Sequence, residues 1–192
     1  MKLILGSASP RRRELIAQLG LTPEAVRVPD INEDPKKGEP PRDYVMRIAS
    51  EKSAAIASGA DEVVLCADTT VTCGRRILGK PEDEKQAAEF LWLLSGRRHH
   101  VLTAVVVRQG ETVRSRLVDT IVKFRPLSNM DVNGYLASRE WEGKAGGYAI
   151  QGLGGAFVPW IQGSFTGVVG LPLAETATLL GSFGIHSFNR DI

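Results

Sequence analysis

A proline ten residues into the chain, set just behind an apolar strand, dictates where extended backbone gives way to helix. Lys2-Leu3-Ile4-Leu5 reads as a strand, Gly6-Ser7-Ala8-Ser9 follows, and Pro10 then opens Arg11-Arg12-Arg13-Glu14-Leu15. Proline suits the first helical position because the N–H it lacks would have no partner there, and Ser9 stands where an N-cap belongs. The start of that helix offers unpaired backbone N–H groups, the positive end of the helix dipole, two hydroxyls and three guanidinium groups. Those are the components of a phosphate cradle. Arginines in a first turn oppose the dipole, so three together call for a compensating anion.

Strand and helix patterns alternate along the rest of the chain. Strands are expected near 2–6, 25–29, 63–67, 70–73, 76–78, 99–109, 112–125 and 155–161, and helices near 10–19, 41–58, 83–95, 128–138 and 172–183. This alternation predicts an α/β fold in which helices cover a mixed sheet. Arg108-Gln109-Gly110-Glu111 joins two long β-rich runs as a hairpin turn does. A chain of 192 residues suffices for one large domain or a domain with two lobes. Its net charge of +2 is too small for a general nucleic-acid binder, so any basic patch is local. No run approaches the roughly 20 apolar residues that span a bilayer, and the short apolar start followed by arginines is not a signal peptide. Cys66 and Cys73 lack CxxC spacing and are expected as free thiols. Residues 33–41, rich in charge and proline, read as a mobile loop.

Five charged side chains outside the first helix are candidates for chemistry. Val63-Val64-Leu65-Cys66-Ala67 is a continuous apolar run that ends at Asp68, an arrangement that sets one acid at the mouth of a buried sheet. Such an acid serves as a general base or as a Mg²⁺ ligand; it also serves as an ordinary turn cap through Thr69 and Thr70. In the helix expected over 41–58, Val45, Ile48, Ala49, Ala55 and Ile56 form one stripe with Lys52 in its middle. A lysine there either snorkels to the edge or reaches into a cleft to meet an anion. Lys80 follows on the turn Leu78-Gly79-Lys80-Pro81, and Glu33 and Asp34 add acid in the polar loop. His99 and His100 are expected to pack or lie exposed at a strand end, and Trp92, Trp141 and Trp160 to serve the core or an interface.

Two nucleotide motifs are excluded. The chain has no GxxxxGK[ST], and Gln151-Gly152-Leu153-Gly154-Gly155-Ala156-Phe157 begins like GxGxxG but carries Phe157 at the third glycine. Six segments do share a pattern: Gly-Ser-Ala-Ser-Pro-Arg-Arg-x-Glu-Leu at the start, Ala67-Asp68-Thr69, Gly79-Lys80-Pro81, Leu94-Ser95-Gly96 followed by His99, residues 143–152, and Val168-Val169-Gly170-Leu171-Pro172. Together, in this order and across essentially the whole chain, they resemble the Maf family of nucleoside triphosphate pyrophosphatases.

The resemblance implies a single domain over 1–192 with two lobes around a central cleft, similar to the inosine-triphosphate pyrophosphatases. It implies hydrolysis of a nucleoside triphosphate to monophosphate and pyrophosphate with a divalent cation, Mg²⁺ or Mn²⁺. Asp68-Thr69 and Gln151 resemble the branch that takes dTTP and UTP, with specificity positions falling on Arg12, Thr69 and Gln151 and the catalytic acid on Asp68. Ser7, Ser9, Arg11, Arg12, Lys52 and Lys80 would then hold the triphosphate, and Asp68 and Glu33 the metal. A cytoplasmic homodimer that binds neither nucleic acid nor membrane is the accompanying expectation. A nucleotide-binding regulator of division without turnover, or a purine or 7-methyl-GTP pyrophosphatase, are the alternatives.

Overall fold

A computed structural model describes residues 1–187; residues 188–192, the end of the expected 1–192 unit, lie outside the described part. Its strands are β1 (Lys2–Leu5), β2 (Ala25–Val26), β3 (Glu62–Cys73), β4 (Arg76–Leu78), β5 (Arg98–Gln109), β6 (Thr112–Lys123) and β7 (Trp160–Gln162). Helices are α1 (Pro10–Gln18), α2 (Pro41–Ala54), α3 (Glu84–Leu94), α4 (Asn129–Ala137), α5 (Phe165–Val169) and α6 (Leu173–Gly181). The strands form one mixed sheet in the order β2-β1-β3-β5-β6-β7, with β4 paired to β3 off that path. This is the expected α/β architecture.

Burial on β3 is nearly unbroken along its length, as a strand covered on both faces requires. Val63, Leu65 and Ala67 meet α1 and α6 on one face. Val64 and Cys66 meet Ile56, just past α2, on the other, where Val45 and Ala49 of α2 also cover Leu102, Ala104 and Val106 of β5. Further along the sheet, Ala87, Phe90, Leu91 and Leu94 of α3 bury one helical stripe against Val71, Val101, Val122 and Phe124. The core is therefore divided between the two ends of a sheet that β3, β5 and β6 span from end to end. A two-residue turn at Gly110-Glu111 joins β5 to β6 with Gln109 opposite Thr112, the hairpin anticipated from the sequence.

Several boundaries differ from expectation for identifiable reasons. The strands expected at 63–67 and 70–73 are one strand, because β5 pairs with it without interruption from Val64 opposite Arg108 to Thr72 opposite His100. Asp68 thus lies in mid-strand and caps no turn. Helix α2 stops at Ala54, and Ala55 is exposed; Ser53 takes its place on the buried stripe. The strand expected over 155–161 is displaced by a 3-10 turn at Leu153–Phe157 and begins only at Trp160. Helix α5, five residues long, left no periodicity to read. Of the tryptophans only Trp141 is in the core; Trp92 and Trp160 are exposed. Residues 33–41 are tied down, since Arg47 forks onto the Glu39 carboxylate at 2.6 and 2.8 Å and donates to the Asp34 carbonyl at 3.1 Å.

His99, near the start of β5, takes the packing alternative and is fully buried. It stands edge-on to Phe124 and Tyr148, and its Nε2 lies 2.8 Å from the Tyr148 hydroxyl while Nδ1 has no partner among the described residues. Burial, with a smaller push from His100, lowers its pKa to about 4. A protonated imidazolium would need two acceptors in a place that offers one oxygen. Since the unfolded ring titrates near 6.5, the unfolded state binds the extra proton first as the pH falls. The neutral ring's contribution is complete above about 6.5 and is lost as the pH drops toward 4, a change of roughly 3 kcal/mol. Urea titrations of wild type and His99→Gln at several pH values should show the stability difference between them shrinking across that window; a constant difference would contradict the assignment.

Candidate active site

The site forms where β3 lacks a neighbour. On its β1 side the last pair is Leu5 with Leu65, and pairing resumes on that side only at Val71 with Leu78 of β4. Residues 66–70 keep β5 on one side and face a gap on the other. The Leu65 carbonyl, which accepts from Gly6 N–H at 2.8 Å, points toward that gap's edge. By strand alternation the backbone groups of Ala67 and Thr69 face the gap itself. A cleft of about 690 Å³ opens there. Side chains alternate across the sheet, so Asp68 projects onto the α2 face and Thr69 onto the face of α1 and α5, and the gap makes both reachable from one cavity. Gly6 lets β1 close down beside it, since a Cβ there would run into the Cys66 Sγ and Ile56 Cδ1.

The first turn of α1 lines the cleft, but its capping differs from expectation. Ser9 has the extended backbone of an N-cap, yet its hydroxyl makes no cap hydrogen bond. It is Ser7 Oγ that orders the turn, accepting from Ser9 N–H at 3.2 Å and from Arg12 Nη1 at 3.1 Å. Both lone pairs of that hydroxyl are then engaged, which leaves its proton for a ligand. Arg12 Nε donates to the Gly170 carbonyl at 2.9 Å, locking the guanidinium in place. Gly170, at φ 139°, takes a conformation for which glycine is suited. Burial lowers the pKa of both Arg11 and Arg12, for Arg12 against the opposing pull of Asp68. Lys144 is lowered too, first by burial and then by Arg11. Among the described residues, Arg11, Arg12, Lys52, Lys80 and Lys144 line the cleft against the two carboxylates of Glu33 and Asp68, a balance that favours an anion.

Acid gathers around Lys52. Its ammonium donates to Asp68 Oδ1 at 2.8 Å and meets Glu33 Oε2 at 2.9 Å, with Lys52 and Asp68 both buried at 8% exposure. A buried lysine of this kind persists only when its partners are held in place. Tyr44, which the sequence did not single out, holds one of them: its hydroxyl donates to the Glu33 carbonyl at 2.9 Å and so anchors the loop. Burial, reinforced by Asp68 and Glu33, pushes the Tyr44 hydroxyl up to about 12 and keeps it a donor. Among the described residues the other carboxylate oxygen, Asp68 Oδ2, has a single long 3.5 Å contact from the Thr70 hydroxyl, so it keeps acceptor capacity, and Asp68 lines the cleft.

Every side chain picked out beforehand for substrate or metal lines this one cavity: Ser7, Ser9, Arg11, Arg12, Glu33, Lys52, Asp68, Thr69, Lys80 and Gln151. Lys80 and Gln151 are exposed at its rim. Tyr44, Lys144 and Tyr148 join them. Lys144 sits inside the glycine-rich motif, and Tyr44 stands four residues before Ile48 and eight before Lys52 on one helical row, a spacing that points it to the same face. Among the described residues no three His, Cys, Asp or Glu side chains form a cage. One or two carboxylates beside a phosphate-binding turn is the donor set Mg²⁺ takes when substrate oxygens complete its shell, so Asp68 and Glu33 fit that ion.

The Maf-like protein family matches residues 2–183. The chain belongs to this family. Among its relatives, the dTTP/UTP pyrophosphatase of Cereibacter sphaeroides is 65% identical over 185 residues, 96% of each chain. The dTTP/UTP pyrophosphatase of Ruegeria sp. strain TM1040 is 59% identical over 96% of this chain and 95% of its own. That of Roseobacter denitrificans is also 59% identical, over 94% and 96%. No helix among the described residues of this Maf-like chain is long and apolar enough to cross a membrane.

The cradle makes a prediction independent of turnover. Ser7→Ala removes a donor to the bound anion and one of the two ties on Arg12. Titration calorimetry with inorganic tripolyphosphate should show affinity about ten-fold weaker than wild type, the size of one charge-assisted hydrogen bond; unchanged affinity would remove Ser7 from the cradle.

Proposed function

We propose that this Maf-like chain hydrolyses dTTP and UTP to the monophosphate and pyrophosphate by attack of water at the α-phosphorus. The observation that carries the reading is that an anion cradle and a buried carboxylate, Asp68, open into the same cleft. The names of relatives up to 65% identical support the substrate class.

In this reading the triphosphate lies against Ser7, Ser9 and the first-turn N–H groups of α1. Arg11, Arg12, Lys52 and Lys80 neutralise its charge. Neutralisation matters most as pyrophosphate departs, because negative charge then builds on the leaving oxygen. Asp68, through its unengaged Oδ2, accepts a proton from the attacking water. Lys52, bonded to Oδ1, holds the carboxylate in that orientation, and Tyr44 keeps Glu33 on Lys52. Asp68 and Glu33 would hold a divalent cation, Mg²⁺ or Mn²⁺, which when bound supplies charge neutralisation and Lewis acidity at the phosphate oxygens. At the base end, Thr69 and Gln151 read the pyrimidine, with Arg12 beside them. The reading takes the chain as one domain whose two lobes share a sheet. A cytoplasmic homodimer is part of the same reading and rests on the family resemblance.

Product analysis after incubation with UTP, dTTP, CTP, 7-methyl-GTP and ITP, each with Mg²⁺ or Mn²⁺, tests it. Monophosphate and pyrophosphate are expected from UTP and dTTP, with loss on chelation. Asp68→Asn should reduce that turnover by about a hundred-fold or more while thermal unfolding stays cooperative. Turnover of purine nucleotides alone would move the assignment to another branch. No turnover of any nucleotide would leave a binding protein, and wild-type turnover in Asp68→Asn would remove Asp68 from the chemistry.

A further inference from the structure

Thr69 and Thr103 lie directly opposite each other on β3 and β5. The backbone alternation that turns Thr69 toward the gap makes this a non-hydrogen-bonded pair, the kind that brings side chains closest. Their Oγ1 atoms are 3.1 Å apart, and the Thr103 hydroxyl lies 2.8 Å from the carbonyl of Gly167 in α5. A carbonyl only accepts, so the single Thr103 proton is committed to Gly167. That carbonyl stands near the C-terminal end of a five-residue helix, where carbonyls lack intrahelical partners. Thr103 is 1% exposed, which shields that hydrogen bond from bulk solvent. What remains on Thr103 Oγ1 toward Thr69 is a lone pair, so the Thr69 proton points inward to Thr103. Toward the cleft Thr69 Oγ1 shows only lone pairs.

We infer that Thr103 is a specificity-positioning residue that fixes Thr69 as an obligatory acceptor and thereby selects bases with an N3–H, uracil and thymine, over cytosine. The inference rests on the reading that pyrimidine triphosphates are the substrates. Uracil and thymine present N3–H as a donor, whereas cytosine presents a bare N3 lone pair. Gln151 alone does not separate them, because its amide offers an oxygen or an NH₂ after a half-turn about its last torsion and so answers either O4 or the cytosine amine. A threonine hydroxyl free to rotate would be as permissive. The relay through Thr103 to Gly167 removes that freedom. Cytosine then meets lone pair against lone pair, and a buried polar mismatch is what gives a hydrogen-bonding site its discrimination.

Thr103→Val keeps the volume and removes the relay, freeing the Thr69 hydroxyl to turn its proton into the cleft. The ratio of kcat/KM for UTP to that for CTP should fall about ten-fold, one hydrogen bond's worth of selectivity, while Thr103→Ser, which keeps the hydroxyl, should retain the wild-type ratio. A merely structural role would lower both substrates alike and leave the ratio unchanged, and that result in a folded valine variant overturns the inference. So does a serine variant that loses selectivity as fully as valine, or a wild type that takes CTP as readily as UTP. If Thr103→Val does not fold, Thr103→Cys, similar in size but weak as donor and acceptor, should shift the ratio in the same direction, and an unshifted ratio there also overturns it. Wild-type protein that hydrolyses neither nucleotide would instead overturn the reading of function on which the inference stands.

Discussion

The site depends on one strand losing a neighbour halfway along its length. Strand β3 is paired by β5 throughout, so its residues 66–70 are held as rigidly as any in the sheet. On the other edge β1 has ended and β4 has not begun, and the missing strand leaves a slot through which both faces of β3 are exposed to one cavity. Two consecutive residues on a strand normally serve opposite sides of a sheet. Here Asp68 and Thr69 line the same cleft because the slot joins the two sides. A loop could bring these side chains together but would not hold them to the same precision.

Around that slot the electrostatics are arranged as a set of unfinished interactions. Arg12 is tied at two points and Lys52 at two more, each with donor capacity left over. Ser7 has accepted all it can and retains a proton; Asp68 has one oxygen engaged and one nearly free. Each group is fixed by the fold on one side and open on the other; the spare donors of Arg12, Lys52 and Ser7 suit an anion, and the spare acceptor of Asp68 suits a proton donor or a cation. The depressed pKa values of Arg11, Arg12 and Lys144, all led by burial, reflect cations kept out of water ahead of the ligand.

Much of the chemistry was legible beforehand. Pro10 behind an apolar strand marked the helix start that lines the cleft, Lys52 on an apolar stripe marked an ion pair, and the collinear motifs marked the family. What escaped were features with no local signature. Nothing in the stretch around Asp68 shows whether a strand ends there or its partner does. The N-cap position of Ser9 was readable, yet which hydroxyl orders the turn depends on where Arg12 is pulled by Gly170, 158 residues away. Tyr44 shares a helical row with Ile48 and Lys52 and packs at the edge of the core, but its tie to the Glu33 carbonyl exists only once that loop is folded over it. Helix α5 is too short for any period to emerge.

The sequence by itself determined the alternation of strands and helices, the positive first turn and the inventory of acids and cations, because periodicity, proline geometry and side-chain charge are local properties. Only the tertiary structure decided which of them share a cleft, which lone pairs remain free, and that Thr69 faces a hydroxyl whose own proton is directed to a carbonyl. Those outcomes depend on partners far apart in the chain, Thr69 with Thr103 and Thr103 with Gly167. A hydrogen-bond direction is a property of the whole network, settled at the one atom that has no choice.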